Sequence, residues 1–319
     1  MLSSPTHPLS GPLLGTRVLV TGANGLLGQA LTRRLATDDE CTVHATARDD
    51  SLHTPGVDCD YSRLDVTAPA DVEAAFADVE PDVVVNCAAL SDVSACEDDR
   101  NQAWATNARA VKRLARHCQD TRAHLIQVST DFVFNGNRGP YDESARPDPV
   151  NYYGRTKLAG ENHVREAGRE NWTIARTVLL YGTAAKLNRQ NVVLWMIDQL
   201  REGEPLHVVN DQWRTPTYVP DLAWGLHQLV HQQPAGIYHL SGPDLVSIHE
   251  LAQAVADVFD LNPHLIHPVA SDYFDDAVER PPTTGFKIDK ARQELGYDPH
   301  SLSDGLEALR RTLDAPSAR

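Results

Sequence analysis

The residues RVLVTGANGLLGQALTRRLA, 17–36, are the strongest indication of the fold of this chain. They open with the apolar and β-branched residues typical of a buried strand. Three glycines follow, and then apolar residues recur at the three- and four-residue spacing of a helix. The stretch therefore predicts a strand, a tight turn and a helix, which is the first unit of a parallel α/β sheet.

The glycines of TGANGLLG, residues 21–28, carry the first functional prediction. Gly22 permits the sharp turn at the strand end, Gly25 lets a pyrophosphate approach the backbone, and Gly28 lets helix and sheet pack closely. The N–H groups at the helix start attract phosphate. We therefore predict a dinucleotide site here, with Asn24, Leu26 and Leu27 of the same turn among its contacts.

Strand and helix patterns alternate along the following 150 residues or so, which predicts an α/β fold with a doubly wound parallel (Rossmann) sheet. Residues 16–176 are assigned to this cofactor-binding domain. Residues 177–319 are predicted to form mainly a smaller C-terminal α/β substrate-binding lobe, with one crossing back to the sheet. Residues 1–15 are predicted to be a mobile N-terminal tail.

Charge and composition limit the classes of molecule that the protein is expected to bind. The 319 residues include 29 Lys and Arg against 44 Asp and Glu, a formal net charge of −15. An acidic surface repels nucleic acid and anionic lipid, so a small-molecule partner is favoured. The chain has no apolar run of membrane-spanning length and no basic, apolar leader, which predicts a cytoplasmic protein. The oligomeric state is left open, with a homodimer as one candidate.

The cysteines and histidines predict neither a disulfide framework nor a metal site. Five cysteines are present, an odd number without a C-x-x-C pair, which fits a reducing compartment. The 14 histidines are taken as scattered, without metal-ligand spacing. No metal is predicted.

The end of the second predicted strand bears on the choice of cofactor. The strand ends HATAR at Arg48, and Asp49 and Asp50 come after it. Because an arginine at this place binds the 2′-phosphate of NADP, the order favours NADP, with NAD as the alternative. In LDV, residues 64–66, Asp65 with Val66 either lies beside the adenine or serves as a turn carboxylate.

The motif YYGRTK predicts the reacting centre. Tyr153 and Lys157 stand at i and i+4, so they share one helix face. A neighbouring ammonium lowers the pKa of a phenol and so fits it for acid–base work. The strand LIQVST delivers Ser129 and Thr130 at its C-terminal end, where open α/β sheets bind their ligands.

Taken together, these motifs resemble the extended short-chain dehydrogenases/reductases, and among them the dTDP-4-dehydrorhamnose reductase family. The resemblance runs from about residue 16 to 298. It rests on TGANGLLG, PDVVVNCAA, STDFVFNG, PYDE, NYYGRTKLAGE, DQWRTPTYVPDLA and the RP at Arg280 and Pro281. STDFVFNG, YGRTKLAGE and DQWRTPT in this order are more specific than the glycine motif.

The resemblance implies an oxidoreductase of the dTDP-rhamnose type, which uses NADPH to reduce a nucleotide-linked 4-keto-6-deoxysugar. It implies Thr130, Tyr153 and Lys157 as the catalytic set, with the last two also touching the cofactor. The loop at Ala88, Ala89 and Leu90 would line the cofactor, and Asn107 would lie beside the active site on the helix behind it.

Departures from the family pattern concern the substrate and a metal. The family commonly has Tyr where this chain has Phe132 and Trp where it has Leu179, and both positions are associated with the sugar pocket. Some members carry a magnesium-binding Glu where this chain has Ala30. Dehydratases of the extended family need a Glu at the position of Phe132, which argues against dehydration.

Two alternative functions stay open at this point. One is a nucleotide-sugar 4-epimerase, which would use the same three residues with a cofactor that stays bound. The other is a non-catalytic NADP-binding regulatory subunit similar to the methionine adenosyltransferase β-subunit. In DQWRTPT, Gln212 or Arg214 either contacts a ligand or stabilises the turn, and both roles stay open.

Overall fold

The glycine-rich stretch folds as a strand, a turn and a helix in the computed structural model, which describes residues 15–167, 170–187, 189–274 and 278–315. The predicted N-terminal tail, residues 1–15, lies outside these ranges apart from Gly15.

The strands are β1 (Thr16–Thr21), β2 (Cys41–Ala47), β3 (Asp60–Arg63), β4 (Val83–Asn86), β5 (His124–Thr130), β6 (Trp172–Thr177), β7 (Leu180–Tyr181), β8 (Leu206–Val209), β9 (Trp213–Arg214), β10 (Thr217–Tyr218), β11 (Gly236–His239), β12 (Val246–Ser247) and β13 (Ile266–Val269). The helices are α1 (Leu26–Leu35), α2 (Pro69–Val79), α3 (Val93–Asp98), α4 (Arg100–Trp104), α5 (Ala110–Thr121), α6 (Tyr152–Glu166), α7 (Val192–Arg201), α8 (Val219–Gln232), α9 (Ile248–Val258), α10 (Asp289–Leu295) and α11 (Leu302–Asp314). A π-helical turn, Ala105–Arg109, joins α4 to α5.

Within the described residues, seven parallel strands form one sheet in the order β11-β6-β5-β4-β1-β2-β3. The central strand β4, with the sequence VVVN, is buried on both faces, as expected for a parallel sheet covered by helices. The strand order reverses between β1 and β4, and ligands bind at the carboxyl ends of the strands at such a point. The predicted fold class is confirmed.

The helices cover both faces of this sheet with apolar stripes. On one face α1 packs against α8 through leucines such as Leu31 and Leu226, both fully buried. On the other face α5 buries Val111 and Leu114 and turns its charged side to water. None of the helices in the described ranges is long and apolar enough to cross a membrane.

The later part of the chain builds a second apolar core and also returns to the large sheet. The second core is formed by α7, α9 and α11 with the paired strands β8 and β13. The strand β11 adds to the large sheet beside β6, and α8 and α10 pack on the first core. The later part is thus tied to the sheet at its β6 edge.

Candidate active site

The glycine turn between β1 and α1 is shaped as a candidate phosphate site. Gly22 has a φ of +69°, and a Cβ there would lie 2.7 Å from the backbone nitrogen of Ala88. A Cβ on Gly28 would collide with the Gly22 carbonyl oxygen. Gly25 precedes α1 without a side-chain cap, so the helix start presents its N–H groups. Leu26 is half-buried and Leu27 belongs to the core.

Asn24, predicted as a cofactor contact, is engaged within the chain. Its amide nitrogen donates to the Asp49 carboxylate at 2.9 Å and to the Ser51 carbonyl at 3.0 Å, and its amide oxygen accepts from the His53 N–H at 2.8 Å. Both hydrogens and the oxygen of the amide are thereby used. In this structure Asn24 ties the glycine turn to the loop after β2.

The other cofactor candidates of this edge differ in their surroundings. Arg48 is exposed at the end of β2. The Asp65 carboxylate accepts from the N–H of Thr67 at 2.8 Å and from its hydroxyl at 2.7 Å, which is the turn role of the two left open. Although burial opposes it, these bonds lower the pKa of Asp65. Val66 is buried, and its carbonyl accepts from Arg113 at 2.9 Å.

The loop after β4 is held by Asn107. Ala88 is half-buried and Ala89 is exposed. The Leu90 N–H donates to the Asn107 amide oxygen at 3.0 Å, and the Leu90 carbonyl accepts from the Asn107 amide nitrogen at 2.9 Å. The second hydrogen of the amide reaches the Thr156 hydroxyl at 3.1 Å. Asn107 lies in the π-helical turn, and its amide holds the loop after β4 in place.

The predicted catalytic residues come together at the carboxyl end of β5. The Asn151 side chain caps α6 by accepting from the Gly154 N–H at 2.9 Å, which fixes the helix start where Tyr153 lies. Tyr153 is 9% exposed, and its ring meets Phe132 edge-on at 6.0 Å between centroids. One helical turn later the Lys157 ammonium donates to the Val128 carbonyl of β5 at 2.7 Å.

The protonation of this group differs from the prediction. Burial raises the pKa of the Tyr153 phenol above its usual value, with the Thr130 hydroxyl opposing the rise and the Asp131 carboxylate adding to it. Lys157 is itself buried, which lowers its pKa to about 8. The predicted lowering of the Tyr153 pKa by Lys157 is therefore not found, because burial dominates at both groups. Tyr153 is a protonated phenol, suited to donate a proton.

Asp131 and Arg214 form a buried ion pair beneath the site. Arg214 Nε lies 3.8 Å from Asp131 Oδ2, and both side chains are about one-twentieth exposed. The guanidinium also donates to the Pro281 carbonyl at 2.8 Å and lies over the Phe132 ring at 5.4 Å. Arg214 thus has the turn-stabilising role, and Gln212 joins it by accepting at 3.2 Å.

The two departures from the family pattern, Phe132 and Leu179, lie in different environments. Phe132 is half-buried between Tyr153 and Arg214. Leu179 packs against both apolar cores with a φ of +35°, a left-handed conformation that is unfavourable for a side chain of this size. Ala30 is half-buried against the first core, on α1.

Behind the site lies a buried network of charged side chains that the sequence did not predict. Ser129 points away from Thr130 and donates to Glu161 at 2.6 Å. Arg176 binds the same carboxylate through two bonds of 2.8 and 2.7 Å. His239 lies 3.5 Å from Arg176 on the other side. The available signal was the position of Glu161, four residues after Lys157 on the same helix face.

Comparison with known proteins gives concordant results. A family model described as the RmlD substrate binding domain matches residues 16–314. The chain is 35% identical over 286 residues to the dTDP-4-keto-6-deoxy-D-glucose reductase of Streptomyces niveus, covering 89% of this chain and 92% of that protein. It is 34% identical over 271 residues to methionine adenosyltransferase 2 subunit beta of Xenopus tropicalis, covering 81% and 76%. The dTDP-4-dehydrorhamnose reductase of Bacillus anthracis str. Ames, solved in complex with NADP, superposes with a TM-score of 0.84 at 31% identity and covers 94% of this chain and 100% of that one.

Proposed function

The chain belongs to the RmlD substrate binding domain family, and on this premise we propose that it is an NADPH-dependent reductase of a nucleotide-linked 4-keto-6-deoxysugar. The observation that carries the proposal is the position of Tyr153 and Lys157 at the carboxyl end of β5, across the strand-order reversal from the glycine turn. We assign cofactor binding to residues 16–176 and mainly substrate binding to residues 177–319. The five free cysteines fit a cytoplasmic enzyme.

The residues present fit NADP. The N–H groups at the start of α1 would hold the pyrophosphate. The space beside Gly25 is open, because the nearest chain atom to a Cβ placed there is the Gly22 carbonyl oxygen at 3.4 Å, and a phosphate can occupy this space. Lys157 uses one of its three hydrogens on Val128, which leaves two for the nicotinamide ribose. When bound, NADPH supplies the hydride for the carbonyl carbon of the sugar.

The chain's own residues would complete the reduction. Tyr153 donates its proton to the carbonyl oxygen. The Thr130 hydroxyl donates to the buried Asp131 carboxylate at 3.0 Å in this structure, and it would turn its one hydrogen to the substrate oxygen in order to orient it. Asn24 and Asn107 act as positioning residues that hold the loops around the cofactor.

Cofactor preference is expected to depend on Arg48. A charge-assisted contact to the 2′-phosphate contributes about 1.5–3 kcal/mol, so NADPH should bind about 10–150-fold more tightly than NADH. Arg48→Ala should remove most of this ratio, measured as the two Kd values by fluorescence titration. Arg33→Ala, which removes another exposed arginine, on α1, is the matched control. An unchanged ratio in Arg48→Ala would place the guanidinium in solvent.

The substrate prediction follows from Phe132 and Leu179. Relative to the family pattern they remove a hydroxyl and an indole from the sugar pocket, which makes it more apolar. Leaving a substrate hydroxyl unpaired costs free energy, so a deoxygenated relative of the rhamnose precursor should be turned over at least as well as that precursor. The measurement is NADPH oxidation against dTDP-, UDP- and GDP-linked 4-keto-6-deoxysugars. A clear preference for the fully hydroxylated sugar would contradict this expectation.

The similarity to methionine adenosyltransferase 2 subunit beta supports a second candidate, a regulatory subunit. The same panel separates the two functions. If NADPH binds but no sugar is reduced, and the chain forms a stable complex with a methionine adenosyltransferase, the reductase proposal fails. A cofactor retained through purification and unaltered by substrate would instead point to the 4-epimerase.

A further inference from the structure

Four side chains with metal-ligand chemistry meet at the edge of the sheet opposite the candidate active site. Asp38 lies in the turn between α1 and β2, and Cys41 is the first residue of β2. His227 and His231 lie one turn apart on α8. We call these four residues the Asp38 cluster. The strands are parallel, and the cluster is at their amino ends whereas Tyr153 is at their carboxyl ends.

The ligand atoms of the cluster converge on the Asp38 carboxylate. Its Oδ2 lies 2.6 Å from His227 Nε2 and 2.7 Å from His231 Nε2, and these two nitrogens are 3.2 Å apart. The Cys41 sulfur lies 3.8 Å from the same oxygen. Ligand atoms of Asp38, Cys41 and His231 are all within 4.8 Å of one another. His227 lies outside this mutually close group, so the Cys41 sulfur and the histidine pair have to move closer together for all four to bind one ion.

We propose that the Asp38 cluster binds one Zn²⁺ ion through two imidazole nitrogens, one carboxylate oxygen and the Cys41 thiolate. Zinc bonds of about 2.0–2.3 Å in a tetrahedron place neighbouring ligand atoms roughly 3.3–3.7 Å apart. The two histidine nitrogens and the sulfur–oxygen pair are already near this spacing. The carboxylate oxygen has to retreat from each nitrogen by about 0.6 Å, as the ion takes the place of the bridging protons. This mixture of nitrogen, oxygen and sulfur donors suits zinc and not magnesium.

The protons balance in this exchange. Each histidine now donates its Nε2 proton toward Asp38, and metal binding moves that proton to Nδ1. For His231, Nδ1 faces Glu40 Oε2 at 3.7 Å, a carboxylate that can accept it. For His227, Nδ1 faces the Gln228 side-chain amide at 3.4 Å, whose oxygen can accept it after an amide flip. Cys41 releases its proton to solvent, so one proton leaves for each ion bound.

The surrounding charges permit a divalent ion. Asp38 and the Cys41 thiolate supply two negative charges, and Glu40 adds a third nearby. Arg34 opposes the ion, since its charge acts on both Asp38 and His227. The other oxygen of Asp38 accepts from the Glu40 N–H at 2.9 Å, which turns Oδ2 toward the histidines before any ion binds. The His231 side chain is 27% exposed, so an ion can enter from solvent.

Two of the histidines depart from the predicted scatter without metal-ligand spacing. His227 and His231 stand at i and i+4 on one helix, a common arrangement for two zinc ligands. The other two ligands come from the α1–β2 turn, which no spacing rule connects to α8. The ion would clamp this turn to α8 and so join two parts of the chain almost 200 residues apart.

Metal titration of the whole, tag-free chain tests the proposal. After treatment with a chelator, the protein should bind one equivalent of Zn²⁺, and free Zn²⁺ at about 100 times the Kd should raise Tm by about 4 °C. Mg²⁺ at the same concentration should not. Co²⁺ in place of Zn²⁺ should give the visible absorption of a tetrahedral site and a thiolate-to-metal band in the near ultraviolet.

Two pairs of variants sharpen the test. His231→Gln should weaken Zn²⁺ binding about 100-fold or more, whereas His264→Gln, an exposed histidine elsewhere, should not. Cys41→Ser should abolish the thiolate-to-metal band, whereas Cys59→Ser should keep it. NADPH binding by the metal-free variants checks that they fold. The proposal is overturned if less than half an equivalent binds, if His231→Gln binds as tightly as wild type, or if the thiolate-to-metal band survives in Cys41→Ser.

Discussion

Tyr153→Phe is expected to lower kcat by about 10²–10⁴-fold, the usual contribution of a general acid. The substitution removes only the hydroxyl from a ring that is packed against Phe132, so the site keeps its shape. The Kd for NADPH should change little, because the phosphates are held by the glycine turn. The measurement is single-turnover oxidation of NADPH with saturating keto-sugar, together with a titration of NADPH binding.

Tyr152→Phe is the matched control for this prediction. Tyr152 is the preceding residue on α6, and its half-buried ring lies under the Arg100 guanidinium at 5.1 Å. It should retain nearly full activity, since its hydroxyl lies outside the proposed catalytic set. A Tyr153→Phe enzyme within threefold of wild type would show that another group or a water molecule delivers the proton.

Glu161→Gln should lower the free energy of unfolding by about 3–5 kcal/mol, because it leaves the charge of Arg176 buried without its partner. Both side chains are essentially inaccessible, and two hydrogen bonds join them. His239 cannot take over the pairing. Burial first, and then the charge of Arg176, lower the pKa of His239 to about 3, so its ring is neutral. Urea unfolding of the cofactor-free protein measures the loss.

Two further variants separate the buried pair from general damage. Glu166→Gln alters an exposed carboxylate on the same helix and should change stability by less than about 0.5 kcal/mol. The double variant Glu161→Met with Arg176→Met replaces both charges with apolar groups and should recover much of the loss. If Glu161→Gln costs under about 1 kcal/mol, the charge of Arg176 is compensated from elsewhere.

The sequence was sufficient for the fold because its signals are local. The alternation of apolar residues marks β1 and α1 within some 20 residues, and the glycine turn between them fixes where the sheet opens. The i, i+4 spacing of Tyr153 and Lys157 likewise needs only one helix. The same locality placed Thr130 at the end of β5.

The remaining features depend on contacts between distant residues. The residues next to Asn24 in the sequence do not indicate that its amide binds the loop after β2. Likewise, the residues next to Arg214 do not indicate that it pairs with Asp131. The pKa of Tyr153 was predicted in the wrong direction because burial, which the sequence does not report, raises it, and the Asp131 carboxylate adds to the rise. His227 and His231 of α8 become candidate metal ligands only because the fold places Asp38 next to them.

The position of β11 at the edge of the sheet also sets the order of events during synthesis. Its neighbour β6 ends at Thr177, but β11 begins only at Gly236. At about 5–20 residues per second, a nascent chain waits roughly 3–12 s with one side of β6 unpaired. For that interval Arg176 lacks His239, and the β6 edge of the sheet has unpaired backbone N–H and C=O groups that can pair with another chain.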